Sequence, residues 1–433
     1  MIFVIICYLI FILLLNKMIF SDTLQRKVLN GFFIIWCVNL LISSINPYNL
    51  FEVKDSTYLI VLLSLTFFLL GSLAKNSINV KKNKLDLSKF LQSTSTIRRN
   101  KIILIILLIS IYQIGEYYLK YQQVVLAYGA EGARLYRFFV GPLFSSTGEI
   151  FIYNYYFETL AIFCVLYFAI SLVFEKLNIL SILCIIYCYL FSNIGAGRFF
   201  LVETSLYILL IFLTKKYYFK ISTSRYTVSI LTLLVAFLYC LSIYFVNFRR
   251  GIFEISLANI ISGNEILLEQ SIIYNIGSIN ALDYGLTNND YVIDNTIFRL
   301  YFGGLDEIFS TCLNFLGINY TSANSIYGNL TFIPIKIGFN QDFNALYTNI
   351  YLMYVDFGLL GIVICSFVNG YMFNLVYKWF KNYPNIYNLL IFIFFTVQMY
   401  LSIFNWGFSS SSSWIFCIVC LIMSKWKKQK LYF

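Results

Sequence analysis

The stretch that begins Phe248-Arg249-Arg250-Gly251 and ends Asn344-Ala345-Leu346-Tyr347-Thr348 decides the architecture predicted for this chain. It is the only long segment too polar to span a membrane, and apolar runs joined by short hinges lie on both sides of it. It also contains nine of the chain's 20 acidic residues. We therefore interpret residues 248–346 as one large loop outside the hydrocarbon layer.

Composition places the rest of the chain in a membrane. Of the 433 residues, 60% are hydrophobic and only 12% are charged, whereas soluble domains have about 25% charged residues. Because a helix needs about 20 apolar residues to cross the bilayer, we predict an all-α polytopic membrane protein, with residues 1–433 as a single transmembrane domain. The sequence predicts about 11 transmembrane helices, at 1–20, 29–46, 57–74, 101–119, 151–173, 178–195, 199–214, 227–247, 347–376, 387–404 and 413–424.

Basic residues orient these spans. One set of loops contains 22 of the 31 Lys and Arg residues, and the other side has nine. Cytoplasmic loops carry the excess of basic residues, so we predict an external N-terminus, a cytoplasmic C-terminus and an external loop 248–346. Residues 75–101 form a basic cytoplasmic loop that we expect to lie on anionic lipid headgroups. The net charge of +11 thus reflects topology, and we predict no nucleic-acid partner.

The two sides also differ in the type of basic residue. Of the 22 cytoplasmic basic residues 18 are Lys, whereas six of the nine external ones are Arg. Because a guanidinium binds phosphate or carboxylate through two parallel hydrogen bonds, the external face is predicted to bind an anion. Within the loop, Ile252–Ile276 and Tyr291–Leu316 are apolar enough for short amphipathic helices. We predict that they cap an outward-open cavity.

Arg198 is the first candidate for anion binding. It follows two glycines in the tight hinge Gly195-Ala196-Gly197-Arg198, at the outer boundary of the membrane. An arginine at this depth costs about 2.5–3.5 kcal/mol unless it is paired or hydrated; the alternative is an anchor in the headgroups. For one of the pair Arg249 and Arg250 the alternatives are likewise anion binding or headgroup anchoring. For Arg299 the alternative is a solvated salt bridge. We interpret Arg134 and Arg137, in the external loop 120–150, as recognition residues.

Acidic residues within the spans are the second group of candidates. All of them are predicted in the outer half of their helices: Glu116, Glu158, Glu203 and Asp356. Buried carboxylates need a partner or a water-filled cavity, and structural pairing between helices is the alternative to a functional site. The chain has no histidine, so a general base would be a carboxylate. We predict no metal and no cofactor, since the pair in Cys417-Ile-Val-Cys420 lies in an apolar helix without polar neighbours.

Three short motifs resemble a known family. Tyr354-Val355-Asp356-Phe357-Gly358-Leu359-Leu360-Gly361, after an Asn- and Thr-rich helix start, resembles the late span of the oligosaccharide repeat-unit polymerases of the Wzy type. Gly195-Ala196-Gly197-Arg198 is similar to that family's glycine–arginine turn, and Arg249-Arg250-Gly251 to the basic start of its large external loop. The span count and the position of the loop are also consistent with that family.

The resemblance implies a membrane glycosyltransferase facing outward from the bacterial cytoplasmic membrane. Such enzymes transfer the growing glycan from one undecaprenyl pyrophosphate to a repeat unit on another, and release undecaprenyl pyrophosphate. The partners implied are that lipid-linked oligosaccharide, membrane lipids, a chain-length regulator and a flippase; the products are surface polysaccharides such as capsule or O-antigen.

The candidate residues receive roles on this hypothesis. We expect arginines to stabilise the pyrophosphate leaving group, with Arg198 first, then Arg249, Arg250 and Arg299. Asp356 or Glu203 would act as the base, unless an oxocarbenium-like transition state makes a strong base unnecessary. The residues expected to bind substrate are Arg134, Arg137, Glu158 and Tyr347. Replacement of Asp356 by Asn is expected to reduce turnover and leave the protein folded.

Two other functions fit the same features. An O-antigen ligase uses the same donor, but its reaction is associated with an external histidine that this chain lacks. A flippase or transporter for the same lipid should have repeated halves and spans that are polar along their full length, whereas the embedded acids here lie in the outer half.

Overall fold

The computed structural model describes residues 1–74, 97, 101–135, 140–175, 178–195, 199–221, 225–252, 254, 256–288, 299–331, 334–339, 341–343 and 348–430. In chain order the helices are α1 (Ile2–Ile19), α2 (Thr23–Ile45), α3 (Asp55–Leu73), α4 (Lys101–Leu135), α5 (Thr147–Ile152), α6 (Glu158–Phe174), α7 (Ile179–Gly195), α8 (Phe199–Tyr217), α9 (Arg225–Arg249), α10 (Leu257–Thr287), α11 (Gly303–Phe315), α12 (Ala323–Thr331), α13 (Asn349–Asn382), α14 (Ile386–Leu401) and α15 (Ser411–Lys430). A π-helical turn at Tyr153–Phe157 joins α5 to α6.

Helix length and surface confirm an all-α membrane protein. Among the described residues, six stretches are long and apolar enough to cross a bilayer: α1, α2, α3, Lys101–Gly129 of α4, Thr147–Phe174 and α13. Their surfaces present large apolar side chains, such as Phe3 at 78% and Met18 at 83% exposure. Water would disfavour such surfaces, whereas lipid accommodates them. Shorter apolar helices lie at Ile179–Ile194, Ile386–Leu401 and Ser411–Lys425. The count of eleven spans and the orientation remain predictions.

The chain forms two compact units. The first comprises Met1–Asn83, Gln270–Pro384 and Phe395–Trp414, and the second comprises Lys84–Glu269, Asn385–Phe394 and Ile415–Phe433. In the second unit, α6 packs against α7 and α8, and α7 packs against α4. In the first unit, the most extensive helix pair is α3 with α13.

Glycines set the distance between α3 and α13. A Cβ atom at Gly71 would lie 1.9 Å from the Phe367 carbonyl oxygen, and one at Gly370 would lie 1.9 Å from the Phe68 carbonyl oxygen. Small residues let two membrane helices approach until their backbones touch. The same interface contains a hydrogen bond of 2.8 Å between the hydroxyls of Ser64 and Ser366.

The described part of the large loop is more regular than predicted. The predicted short helix at Ile252–Ile276 is the first part of α10, which has 31 residues. Residues 299–302 and α11 fall within the predicted helix at Tyr291–Leu316, whose residues 291–298 lie outside the described residues. The sequence did not predict the antiparallel ribbon of β1 (Ile335–Gly338) and β2 (Gln341–Phe343), in which Lys336 pairs with Asp342.

Candidate functional site

Helix α13 is broken at the motif that carries the family resemblance. Phe357 (φ −157°, ψ 24°) and Gly358 (φ +61°) have non-helical backbone angles. A positive φ is accessible to glycine at little steric cost. A Cβ at Gly361 would lie 2.2 Å from the Met353 carbonyl oxygen. The glycines of the motif therefore permit a kink immediately after Asp356.

The Asp356 carboxylate binds the loop that we predict to be external. Its Oδ1 accepts a hydrogen bond from the Leu300 N–H at 3.1 Å, and its Oδ2 accepts one from the Tyr301 N–H at 2.7 Å. The residue is only 5% exposed. A general base needs a lone pair directed at the proton that it removes. These contacts favour an anchoring role for Asp356 over the predicted role as base.

Tyr301 fixes the same point of the loop. Its side chain is buried, and its hydroxyl donates a hydrogen bond to Asn369 of α13. Its carbonyl accepts a hydrogen bond from Trp406 Nε1 at 3.0 Å, and the two rings stack with centroids 5.3 Å apart. We call Asp356, Leu300 and Tyr301, with these contacts, the loop anchor.

Arg299 precedes the loop anchor and forms a salt bridge. Its Nε lies 3.0 Å from Asp306 Oδ1, and its Nη2 donates to the Thr321 carbonyl at 2.7 Å. Its guanidinium also lies 4.8 Å from the ring centre of Tyr320, a favourable cation–π contact. The salt bridge anticipated as the alternative for Arg299 is therefore present, and its side chain is partly committed to structure.

Asp306 is the centre of this arginine–carboxylate cluster, which we define as Arg299, Asp306 and Tyr320. Besides Arg299, Asp306 accepts hydrogen bonds from the Tyr320 hydroxyl at 2.7 Å and the Ala323 N–H at 2.6 Å. Burial raises the pKa of Asp306, but the hydrogen bonds from Arg299, Tyr320 and Ala323 outweigh it and hold the pKa below its usual value. Asp306 is therefore ionised at neutral pH.

Glu307, the next residue, has the opposite electrostatic environment. Its burial raises the pKa above the usual value, and hydrogen bonds with Ser411 and Asn324 offset this only in part. Two adjacent carboxyl groups with pKa values moved in opposite directions are typical of functional sites, although structural ion pairs also produce such shifts.

These environments predict opposite effects of two neighbouring substitutions. Asp306→Asn removes a charge that the fold stabilises, and should lower the free energy of unfolding by about 2 kcal/mol at pH 7. Because the folded pKa is lowered, that contribution exists above the unfolded pKa, about 3.9, and disappears as the pH falls through the folded value.

Glu307→Gln should be neutral or stabilising at pH 7, because the folded pKa is raised. Here the favourable contribution of the protonated carboxyl exists below the unfolded pKa, about 4.3, and is lost as the pH rises through the folded value. Melting temperatures of both variants in detergent between pH 3 and pH 8 measure these effects. Equal destabilisation by the two substitutions at pH 7 would contradict the assignment.

The remaining predicted residues occupy separate places. Arg250 is exposed, and its Nη1 donates to the Ser262 hydroxyl at 3.2 Å. Glu203 accepts a hydrogen bond of 3.0 Å from Tyr207, one turn further along α8. Glu158 begins α6 and is half-buried, whereas Glu116 is exposed on α4. Arg134 and Arg249 belong to α4 and α9, and their side chains are not described; Arg137, Arg198 and Tyr347 lie outside the described residues.

Sequence reasoning missed Asp306, Glu307 and Tyr320. The only signal was the pair Gly303-Gly304 between Arg299 and the two acids. A Cβ at Gly303 would lie 2.2 Å from the Asn324 side chain, and one at Gly304 would lie 2.2 Å from the Ser410 carbonyl. The glycines thus let the start of α11 touch two segments distant in sequence, which a local pattern does not reveal.

Comparison with protein-family models, curated proteins and solved structures finds no match for this chain. The functional assignment therefore depends on the site and on the three motifs.

Proposed function

We propose that this protein polymerises undecaprenyl-pyrophosphate-linked oligosaccharide units on the outer face of a bacterial cytoplasmic membrane, as Wzy-type enzymes do. The observation that carries the proposal is the loop anchor. The carboxylate in the motif Tyr354-Val355-Asp356-Phe357-Gly358 bonds to two consecutive backbone N–H groups of the large loop. The residues that gave the resemblance thus join the only long polar segment to a membrane helix.

This arrangement suits a reaction at a membrane surface. The donor's pyrophosphate is tethered at the headgroups by its lipid, so the groups that bind it must be held at that depth. The anchor holds its neighbour Arg299 in place, and a cationic side chain held in this way loses little conformational entropy on binding. Arg198, in the hinge Gly195-Ala196-Gly197-Arg198, remains the first candidate to stabilise the leaving pyrophosphate, with Arg249 and Arg250 next. Arg299 stays fourth, and its salt bridge to Asp306 is consistent with that rank.

The proton of the acceptor hydroxyl needs a separate route. Asp356 is buried and each of its oxygens accepts a hydrogen bond from the loop, whereas Glu203 is half-buried, so Glu203 is the better of the two original candidates. The alternative remains an oxocarbenium-like transition state in which the proton leaves late and no strong base is needed. Glu203→Gln distinguishes these two routes: a loss of turnover with an unchanged donor affinity supports a base.

A direct assay tests the proposal. Purified protein in nanodiscs is incubated with a lipid-pyrophosphate-linked repeat unit, and the products are separated on a gel. We expect a ladder at repeat-unit spacing. Arg198→Lys keeps the charge but loses the planar guanidinium, and should reduce the rate at least about 100-fold. Arg26→Lys, in the predicted cytoplasmic set, is the matched control and should polymerise normally.

Two outcomes would replace the proposal. Transfer of the glycan to a different lipid acceptor, without a ladder, would indicate a ligase. Movement of the intact donor across the membrane, without new glycosidic bonds, would indicate a flippase.

A further inference from the structure

Three segments of the first unit line a cleft away from the loop anchor. Its volume is about 190 Å³, and the residues that line it come from the chain before α3, the end of α10 and strand β1. They include Phe51, Glu52, Lys54, Tyr284 and Lys336. Lys54 and Lys336 both belong to the predicted external set, so the cleft is predicted to open on the side where the glycan is assembled.

Backbone contacts hold the walls of the cleft in place. The Phe51 N–H donates to the Ile337 carbonyl at 2.8 Å, which ties the segment before α3 to β1. Asn280 Nδ2 donates to the Phe51 carbonyl at 2.6 Å. Asp283 accepts hydrogen bonds from the Lys54 N–H at 3.1 Å and the Thr57 hydroxyl at 2.5 Å, and so secures the start of α3. A cleft fixed in this way loses little entropy when a ligand binds.

The cleft is lined by side chains of the kinds that bind sugars. Phe51 and Tyr284 offer aromatic surface, which packs on the C–H face of a pyranose ring. The side chains of Glu52, Asn288 and Lys336 have no hydrogen bond or ion pair with another described residue, and they combine acceptors and donors for ring hydroxyls. The aromatic surface and these polar groups line the same cleft.

The charge and the volume of the cleft restrict the class of ligand that it can bind. The lining contains two lysines and two acidic residues, so its formal charges cancel and do not select a bare anion such as pyrophosphate. Sites for drug-sized ligands occupy about 300–1,000 Å³, so a cleft of about 190 Å³ admits one ring rather than an oligosaccharide. We propose that this cleft binds a single sugar residue of the glycan. The inference rests on the proposed function for the origin of that glycan.

Saturation-transfer NMR on the full-length protein in nanodiscs tests the cleft. The probes are glucose, galactose, rhamnose, N-acetylglucosamine, N-acetylgalactosamine and glucuronic acid. We expect transfer to at least one of them. Tyr284→Ala should weaken its affinity about 10-fold, since the ring contact is lost. Tyr284 adjoins Gly285, which packs closely on Tyr351, so the Tyr284 variant could also disturb folding. Lys336→Ala, at an exposed strand position, is therefore the second variant and should also weaken sugar binding.

Asn275→Ala is the matched control. This half-buried residue lies on the same helix as Tyr284, and its amide donates a hydrogen bond to the Ser271 carbonyl within that helix, so sugar binding should be unchanged. The proposal is overturned if folded wild-type protein transfers no saturation to any probe, or if neither cleft variant weakens binding. Polymerase activity without sugar binding would reject only the proposal that the cleft is a sugar site. Sugar binding without a product ladder would reject only the proposed polymerase function.

Discussion

Gly370→Ala should prevent α3 and α13 from packing. The added methyl group would lie 1.9 Å from the Phe68 carbonyl oxygen and 2.7 Å from the Ser72 nitrogen. Both atoms belong to backbone, so no side-chain rotation relieves the overlap and the helices must separate. We expect a loss of about 3 kcal/mol, the upper end of the usual cost of overpacking. Thermal unfolding in detergent and elution of a monodisperse species on size exclusion measure this.

A matched glycine separates the clash from the general effect of alanine. Gly115 lies in the membrane helix α4, and a Cβ there meets nothing within 4 Å. Gly115→Ala should therefore be neutral or stabilising, because alanine favours helix over glycine by about 1 kcal/mol. Equal melting temperatures for the Gly370 and Gly115 variants would show that the close crossing is absent.

Asp356→Asn should release the large loop from α13. An asparagine side chain retains one acceptor oxygen and directs an NH2 donor at a backbone N–H, so one of the two loop hydrogen bonds is replaced by an unfavourable donor–donor contact. Leaving buried polar groups unsatisfied costs about 1–3 kcal/mol each, so we expect a total loss of about 3 kcal/mol. This differs from the sequence-based expectation of a stable but slow variant, because the contacts of Asp356 were not visible in the sequence.

Limited trypsinolysis distinguishes the two expectations. In the wild type Arg299 is bound by Asp306 and adjoins the loop anchor; in Asp356→Asn, cleavage after Arg299 should accelerate and the melting temperature should fall. Asp342→Asn, at an exposed position of β2, is the control and should leave both unchanged. An Asp356→Asn protein with wild-type proteolysis and melting but reduced turnover would restore Asp356 as a catalytic candidate.

The contrast between Asp356 and Arg299 explains why site prediction was partial. The sequence identified both residues because an ionisable group near hydrocarbon requires a reason. It did not identify the partners: Asp356 bonds to backbone 55 and 56 positions away, and Arg299 bonds to Asp306 and Thr321. A hydrogen bond to a backbone N–H group has no residue-type signature. The sequence therefore could not show whether Asp356 binds another part of the protein or a substrate.

The sequence by itself determined the membrane class, the positions of the apolar helices and the existence of one large polar segment. These properties depend on local composition and run length, because each helix satisfies its own backbone hydrogen bonds and needs only apolar side chains to enter lipid. Tertiary structure alone decided which glycines form the α3–α13 crossing, why α13 kinks after Asp356, and where the loop anchor and the sugar-sized cleft lie. Those features join residues distant in the chain, and their energies depend on distances that local composition does not encode.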